Sequence, residues 1–230
     1  MHVPARPGRS TRARHTLVRL VLAPLGAAAL LAGATACGAE PAAVETVENA
    51  PASPYKATTL PAAFRIPDVT MTDMNGRSYA LAQKTKGKVT MLFFGFTNCP
   101  DICPTTMADA AAALRLLTPA EQAKVQVVFV TADPARDTPA ALKDYLGRFN
   151  KTFVGLTGPW KTIEQAAGTA KVPVSPAPAH AKGNYQVEHG SNVMTYGPDG
   201  AGRLLFRYQF GSADMAKDLR TLLAREKSAL

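Results

Sequence analysis

The chain has 230 residues, 47% of them hydrophobic, enough for one ordinary domain with attachments. Its formal charge of +9 would point to an anionic partner if spread over a fold, but Arg6, Arg9, Arg12, Arg14 and Arg19 lie in the first 36 residues, which hold no acid. Without those five arginines +9 becomes +4, an ordinary balance, and nucleic-acid binding is rejected.

The arginine-bearing start leads into an apolar run at 20–34 and then Ala34-Thr35-Ala36, an A-x-A-like cleavage site. A run of about fifteen residues is short for a membrane span and suits a signal peptide, so residues 1–36 are read as one. An uncleaved anchor helix is the alternative. Cys37-Gly38 after small residues is similar to a bacterial lipoprotein signal, in which the cysteine is acylated; Ala34 stands where that pattern usually has leucine. Plain cleavage after Ala36 would instead leave a free exposed thiol, an awkward group outside a cell, so the lipid anchor is preferred. The chain is thereby expected on the extracytoplasmic face of a bacterial cell membrane. Residues 37–60 are rich in Ala, Pro, Thr and Glu and read as a flexible tether. Residues 61–230 are the expected domain.

The domain opens with two short strands, 69–72 and 78–81, around an Asn75-Gly76 turn. A polar loop at 84–88 leads to an apolar strand at 89–94, and Cys99-Pro100 and Cys103-Pro104 follow at once. A helix is predicted over 105–117 and a second buried strand over 125–131. Thr138-Pro139 marks the start of a helix running to about Phe149. A short strand at 153–156, a helix at 161–170 and an irregular Pro- and Ala-rich stretch at 172–186 come next. A hairpin at 193–196 and 203–208 and a last amphipathic helix from Ser212 complete the order. Strands and helices in this order predict an α/β sandwich with a mixed central sheet, flanking helices and an N-terminal β-hairpin extension, which is the thioredoxin-like arrangement.

Cys99 and Cys103 are spaced i, i+4, within disulfide reach if the segment is helical, and able to converge on one metal ion. Pro100 disfavours helical backbone at Cys99, which places that thiol just before a helix, among free amides that stabilise a thiolate. Two buried inert cysteines are the bland alternative, uncommon in a Pro-rich loop of an exported protein. His2 and His15 leave with the signal; His180 lies in the irregular stretch and His189 just before a strand, so His189 is read either as a third ligand or as an ordinary surface histidine of a loop. Two thiolates and an imidazole suit copper, and a trigonal arrangement can hold Cu(I). A structural zinc would want a fourth protein ligand. Asp133 and Asp137 follow the second buried strand. They are read either as orienting the metal loop or meeting a partner, or as a solvated loop with Asp137 helping to cap the next helix.

Three stretches, FGFTNCPDICPTTM, TADPARDTP and YQVEHGSNVMTYGPDG, occur in order and together resemble the SCO/SenC family of copper-binding, thioredoxin-like assembly factors. The resemblance implies a site of Cys99, Cys103 and His189 holding copper as Cu(I) or Cu(II). It further implies delivery of copper to, or reduction of the thiols of, the binuclear copper centre of cytochrome c oxidase. The implied partners are the copper-bearing oxidase subunit and other copper chaperones. Many family members have Asp-His-Ser where Glu188-His189-Gly190 stands here, and many carry a transmembrane helix where this chain offers Cys37.

The expected role is that of a metallochaperone rather than a turnover enzyme. An extracytoplasmic thiol–disulfide oxidoreductase, with Cys99 and Cys103 as its redox pair, is the competing reading. Thioredoxin-type reductases place two residues between their cysteines and a proline before the strand facing them; here three residues intervene, and Gly190-Ser191-Asn192 precede that strand. A peroxidase fits less well, and a copper or redox sensor would use the same ligands.

Overall fold

The computed structural model describes residues 53–180 and 182–228. The predicted signal peptide, Cys37 and most of the predicted tether lie outside the described residues. In chain order the elements are β1 (Thr58–Thr59), β2 (Thr70–Asp73), β3 (Ser78–Ala80), α1 (Leu81–Thr85), β4 (Val89–Gly95), α2 (Ile102–Arg115) and α3 (Pro119–Gln122). They continue with β5 (Val125–Thr131), α4 (Pro139–Gly147), β6 (Val154–Thr157), α5 (Trp160–Ala170), β7 (Val193–Tyr196), β8 (Gly202–Phe206) and α6 (Ser212–Ser228).

The strands form one mixed sheet in the order β1-β8-β7-β4-β5-β6-β2-β3. β4, β5 and β6 run parallel, whereas β7 lies antiparallel to β4 and β2 antiparallel to β6. Every residue of β4 is buried, as a central strand covered on both faces must be. Val89, Met91 and Phe93 share a core with Met107 and Leu114 of α2, Leu142 and Leu146 of α4, and Leu219 and Leu222 of α6. Leu92 and Phe94 point the other way, into a core with Ile163, Ala166 and Ala170 of α5 and with Leu81. The alternation of a pleated strand thus divides one apolar run between two helical layers. This is the expected α/β sandwich, with the β2–β3 hairpin as its N-terminal extension.

Several boundaries differ from the sequence expectation. The polar loop predicted at 84–88 is in part helix α1, because Leu81 is fully buried and Thr85 Oγ1 bonds back to the Leu81 carbonyl at 2.8 Å. α2 begins at Ile102 rather than at 105, with Pro104 in its first turn, where a missing N–H costs nothing. α3 is set by a capping box between Thr118 and Glu121. The fold also takes in residues assigned to the tether. The Lys56 and Ala57 N–H groups donate to the buried Asp218 carboxylate at 3.1 and 2.7 Å, and β1 pairs with β8. Such pairing leaves no hydrophobic periodicity for composition to reveal.

Candidate metal centre

β4 ends at Gly95, and Phe96 to Asp101 carry the chain from the sheet edge into α2. Cys103 is the second residue of α2, and its backbone N–H points to Cys99 Sγ at 3.4 Å. The Cys99 sulfur therefore occupies the place of a capping side chain, beside helix amides that lack an internal partner. Asp101, the residue at the cap position, makes no side-chain cap; its carboxylate accepts the Tyr208 hydroxyl at 3.1 Å instead.

Cys103 is fully buried, with its sulfur against Gly95. A Cβ at position 95 would stand 2.6 Å from Cys103 Sγ and 2.8 Å from the Phe93 ring. Glycine is required there by the close approach of the thiol to the strand end. The same Sγ lies 3.5 Å from His189 Nε2. The ring's other nitrogen, Nδ1, is 3.0 Å from the Gly190 carbonyl, which assigns the proton to Nδ1 and leaves the Nε2 lone pair facing the sulfurs. Phe93 and Phe96 meet the imidazole edge-on, with centroids 5.9 and 5.5 Å away, so these rings serve as its walls.

The ligand atoms of Cys99, Cys103 and His189 all lie within 4.8 Å of one another, and this is the one such group of three among the described residues. His180 is not part of it; it is exposed, with φ of 63°. Above the site, Pro100, Asp101, Gln186, Val187 and Glu188 rim a hollow of about 290 Å³ that opens to Cys99 and His189.

The two thiols are inequivalent. The Cys103 side chain donates to Cys99 and lowers its pKa to about 4 against the cost of burial, helped by the Cys103 and Asp101 amides. Burial, and then the hydrogen bond to Cys99, push the Cys103 thiol far up, so it keeps its proton. At neutral pH the pair is one thiolate and one thiol sharing a hydrogen bond.

Asp133 and Asp137 are both fully buried, and they hold different halves of the site. Asp137 accepts the Thr97 hydroxyl at 2.6 Å, the Thr97 N–H at 3.0 Å and the Thr131 hydroxyl at 2.6 Å, tying down the loop that carries Cys99. It does not cap α4; Thr138 does, accepting the Ala141 N–H at 3.2 Å. Asp133 instead faces the segment that carries His189: it accepts the Tyr185 hydroxyl at 2.9 Å and pairs with Arg136. Gly95, Thr97, Thr131, Arg136 and Tyr185 escape the sequence reading. All five lie inside the three stretches quoted above, but only the distances assign them a purpose.

The SCO1/SenC family pattern matches residues 59–224. An SCO2-like protein of Rickettsia conorii is 36% identical over 164 residues, covering 69% of this chain and 75% of that protein. Among solved structures, Bradyrhizobium japonicum ScoI with copper bound is 31% identical, with a TM-score of 0.62, and aligns over 69% of this chain and 99% of its own. Yeast Sco1 with copper bound is 26% identical, with a TM-score of 0.62, over 77% and 91% of the two chains.

Proposed function

This chain belongs to the SCO1/SenC family, and from that premise we propose that it is a copper metallochaperone whose cargo is one copper ion held by Cys99, Cys103 and His189. The observation that carries the reading is the convergence of two sulfurs and one bare imidazole nitrogen, with Cys99 and His189 lining an open hollow and Cys103 buried beneath them. Soft thiolates suit Cu(I), and the imidazole extends the set toward Cu(II). Cys99 meets the ion as a thiolate, and Cys103 gives up its proton as the second bond forms. Asp137 keeps the cysteine loop in place, and Asp133 the histidine segment, so both aspartates act through other residues rather than on the metal.

The family resemblance points to cytochrome c oxidase assembly, with the copper-bearing oxidase subunit as acceptor and other copper chaperones as donors. Residues 1–36 as an export signal, Cys37 as a lipid anchor and the following stretch as tether would hold the domain at the extracytoplasmic membrane face. Among the described residues no helix is long and apolar enough to cross a membrane.

The depressed Cys99 pKa also favours a thiol–disulfide role. Cys99 thiolate would attack a partner disulfide, and Cys103 would then release it. The partner gains two electrons as a dithiol, and this pair loses two as a disulfide, giving up any bound copper. Titration of reduced, metal-free protein with copper against a competing chelator separates the two readings. Tight one-to-one binding that needs all three ligands supports the chaperone. Weak binding together with turnover on a disulfide substrate would replace it with the oxidoreductase.

A further inference from the structure

His189 stands on a stretch between α5 and β7 that has no helix or strand of its own. Within it the chain makes the isolated bridge Val174↔His189 and a bond from the Ser175 N–H to the Glu188 carbonyl at 3.1 Å. Ser175 Oγ also donates to the Glu188 carboxylate at 2.7 Å. Beyond these contacts within the stretch, the hydrogen bonds from 182–192 to the domain end, among the described residues, on Arg136, Asp133 and Cys103. Arg136 carries two of these four. Its Nη2 donates to the Tyr185 carbonyl at 2.9 Å and its Nη1 to the Gly183 carbonyl at 3.3 Å. Its Nε pairs with the buried Asp133. The guanidinium carbon lies 3.5 Å from the centroid of the Tyr185 ring, so the plane that donates to one residue also stacks on it. The same carbon is 5.8 Å from the ring of Phe96, which walls the His189 imidazole.

We propose that Arg136 is a positioning residue that fixes the His189 arm over the two cysteines and thereby sets how well the site holds Cu(II). The proposal rests on the copper-binding reading above. The cysteines reach their places through α2 and the Asp137–Thr97 contact, independently of Arg136. A site with a loose arm therefore keeps its dithiolate and loses its imidazole. Cu(I), which two thiolates can hold, is retained, and Cu(II), which needs the nitrogen, is released. Lysine cannot replace arginine here: an ammonium can pair with Asp133, but it has no planar fork to reach two carbonyls while stacking on a ring.

The test uses the full-length protein, extracted from membranes, with Arg136→Lys and, separately, Tyr185→Leu. The second variant leaves the Arg136–Asp133 pair in place and removes the half-buried ring that Arg136 stacks on. Each variant is expected to bind Cu(II) at least about tenfold more weakly, with a weakened thiolate-to-Cu(II) absorption band, as is usual when the residues supporting a ligand are lost. Cu(I) affinity should stay within about threefold of wild type on the same reasoning. In metal-free protein, the Ser175 amide, which donates to the Glu188 carbonyl of the arm, should exchange hydrogen faster, while the amides of α2 stay protected. Wild-type Cu(II) affinity and spectrum in both variants would overturn the proposal, as would unchanged amide exchange. If wild type itself binds no copper, the chaperone reading fails, while the exchange measurement still decides whether Arg136 holds the arm.

Discussion

Asp137 accepts both the hydroxyl of Thr97, at 2.6 Å, and its backbone N–H, at 3.0 Å. One buried carboxylate at the end of β5 thus fixes the loop at the end of β4 from which Cys99 projects. Because β4 and β5 are parallel neighbours, with Gly95 opposite Thr131, both loops emerge at the same edge and such a clamp can form.

Asp137→Asn would place an amide NH₂ among groups that now donate to a carboxylate. The expected loss is about 1–3 kcal/mol of stability, the cost of a broken buried charge-assisted bond, with faster alkylation of Cys103. Burial holds the Asp137 carboxyl above the ordinary range despite its three hydrogen bonds. A raised folded-state pKa favours folding below the unfolded value, and that contribution is lost as pH rises through the folded value. Denaturant titrations of wild type and variant should therefore differ most in acid, the gap narrowing as pH rises.

The inequivalent thiols predict a pH profile. With Cys99 near pKa 4, its alkylation by iodoacetamide in metal-free, reduced protein should stay nearly constant from pH 8 to pH 6 and fall only as the pH approaches that value. With Cys103 protonated, Cu(I) binding at pH 7 should release about one proton rather than two. Calorimetry in buffers of different ionisation enthalpy measures this number, and two protons would show that Cys99 is an ordinary thiol.

Gly95→Ala would bring a methyl group to 2.6 Å from Cys103 Sγ. Overpacking at such a point costs about 1–3 kcal/mol, and here both the sulfur and the Phe93 ring must shift. A lowered melting temperature should therefore accompany weaker copper binding. If Tm falls and copper affinity does not, the thiol has another position from which it can bind.

Cys99→Ser and Cys103→Ser should each abolish tight copper binding. His189→Ala should retain Cu(I) on two thiolates and lose Cu(II), seen as loss of the thiolate-to-Cu(II) absorption band. Wild-type Cu(II) binding by His189→Ala would remove His189 from the ligand set and turn attention to the exposed His180.

The order of the principal strands and helices, the burial of β4 and β5, and Cys99, Cys103 and His189 as candidate ligands are legible in the sequence alone. Each of these is written locally: continuous apolar runs for doubly covered strands, Thr138-Pro139 for a helix start, and a cysteine pair ahead of a helix with a histidine ahead of a strand. The remaining features depend on which loops share an edge of the sheet. Asp133 and Asp137, four residues apart in one motif, turn to different halves of the site. Asp137 bonds to Thr97, 40 residues away, and Asp133 to Tyr185, 52 residues away. Gly95 is explained only by a sulfur on the next helix, and Asp218 only by the amides of a segment that composition reads as tether. Hydrogen bonds to a buried carboxylate carry no periodicity and little compositional signal. Their partners become legible when the sheet has brought distant loops to one edge and excluded the water that would otherwise satisfy them.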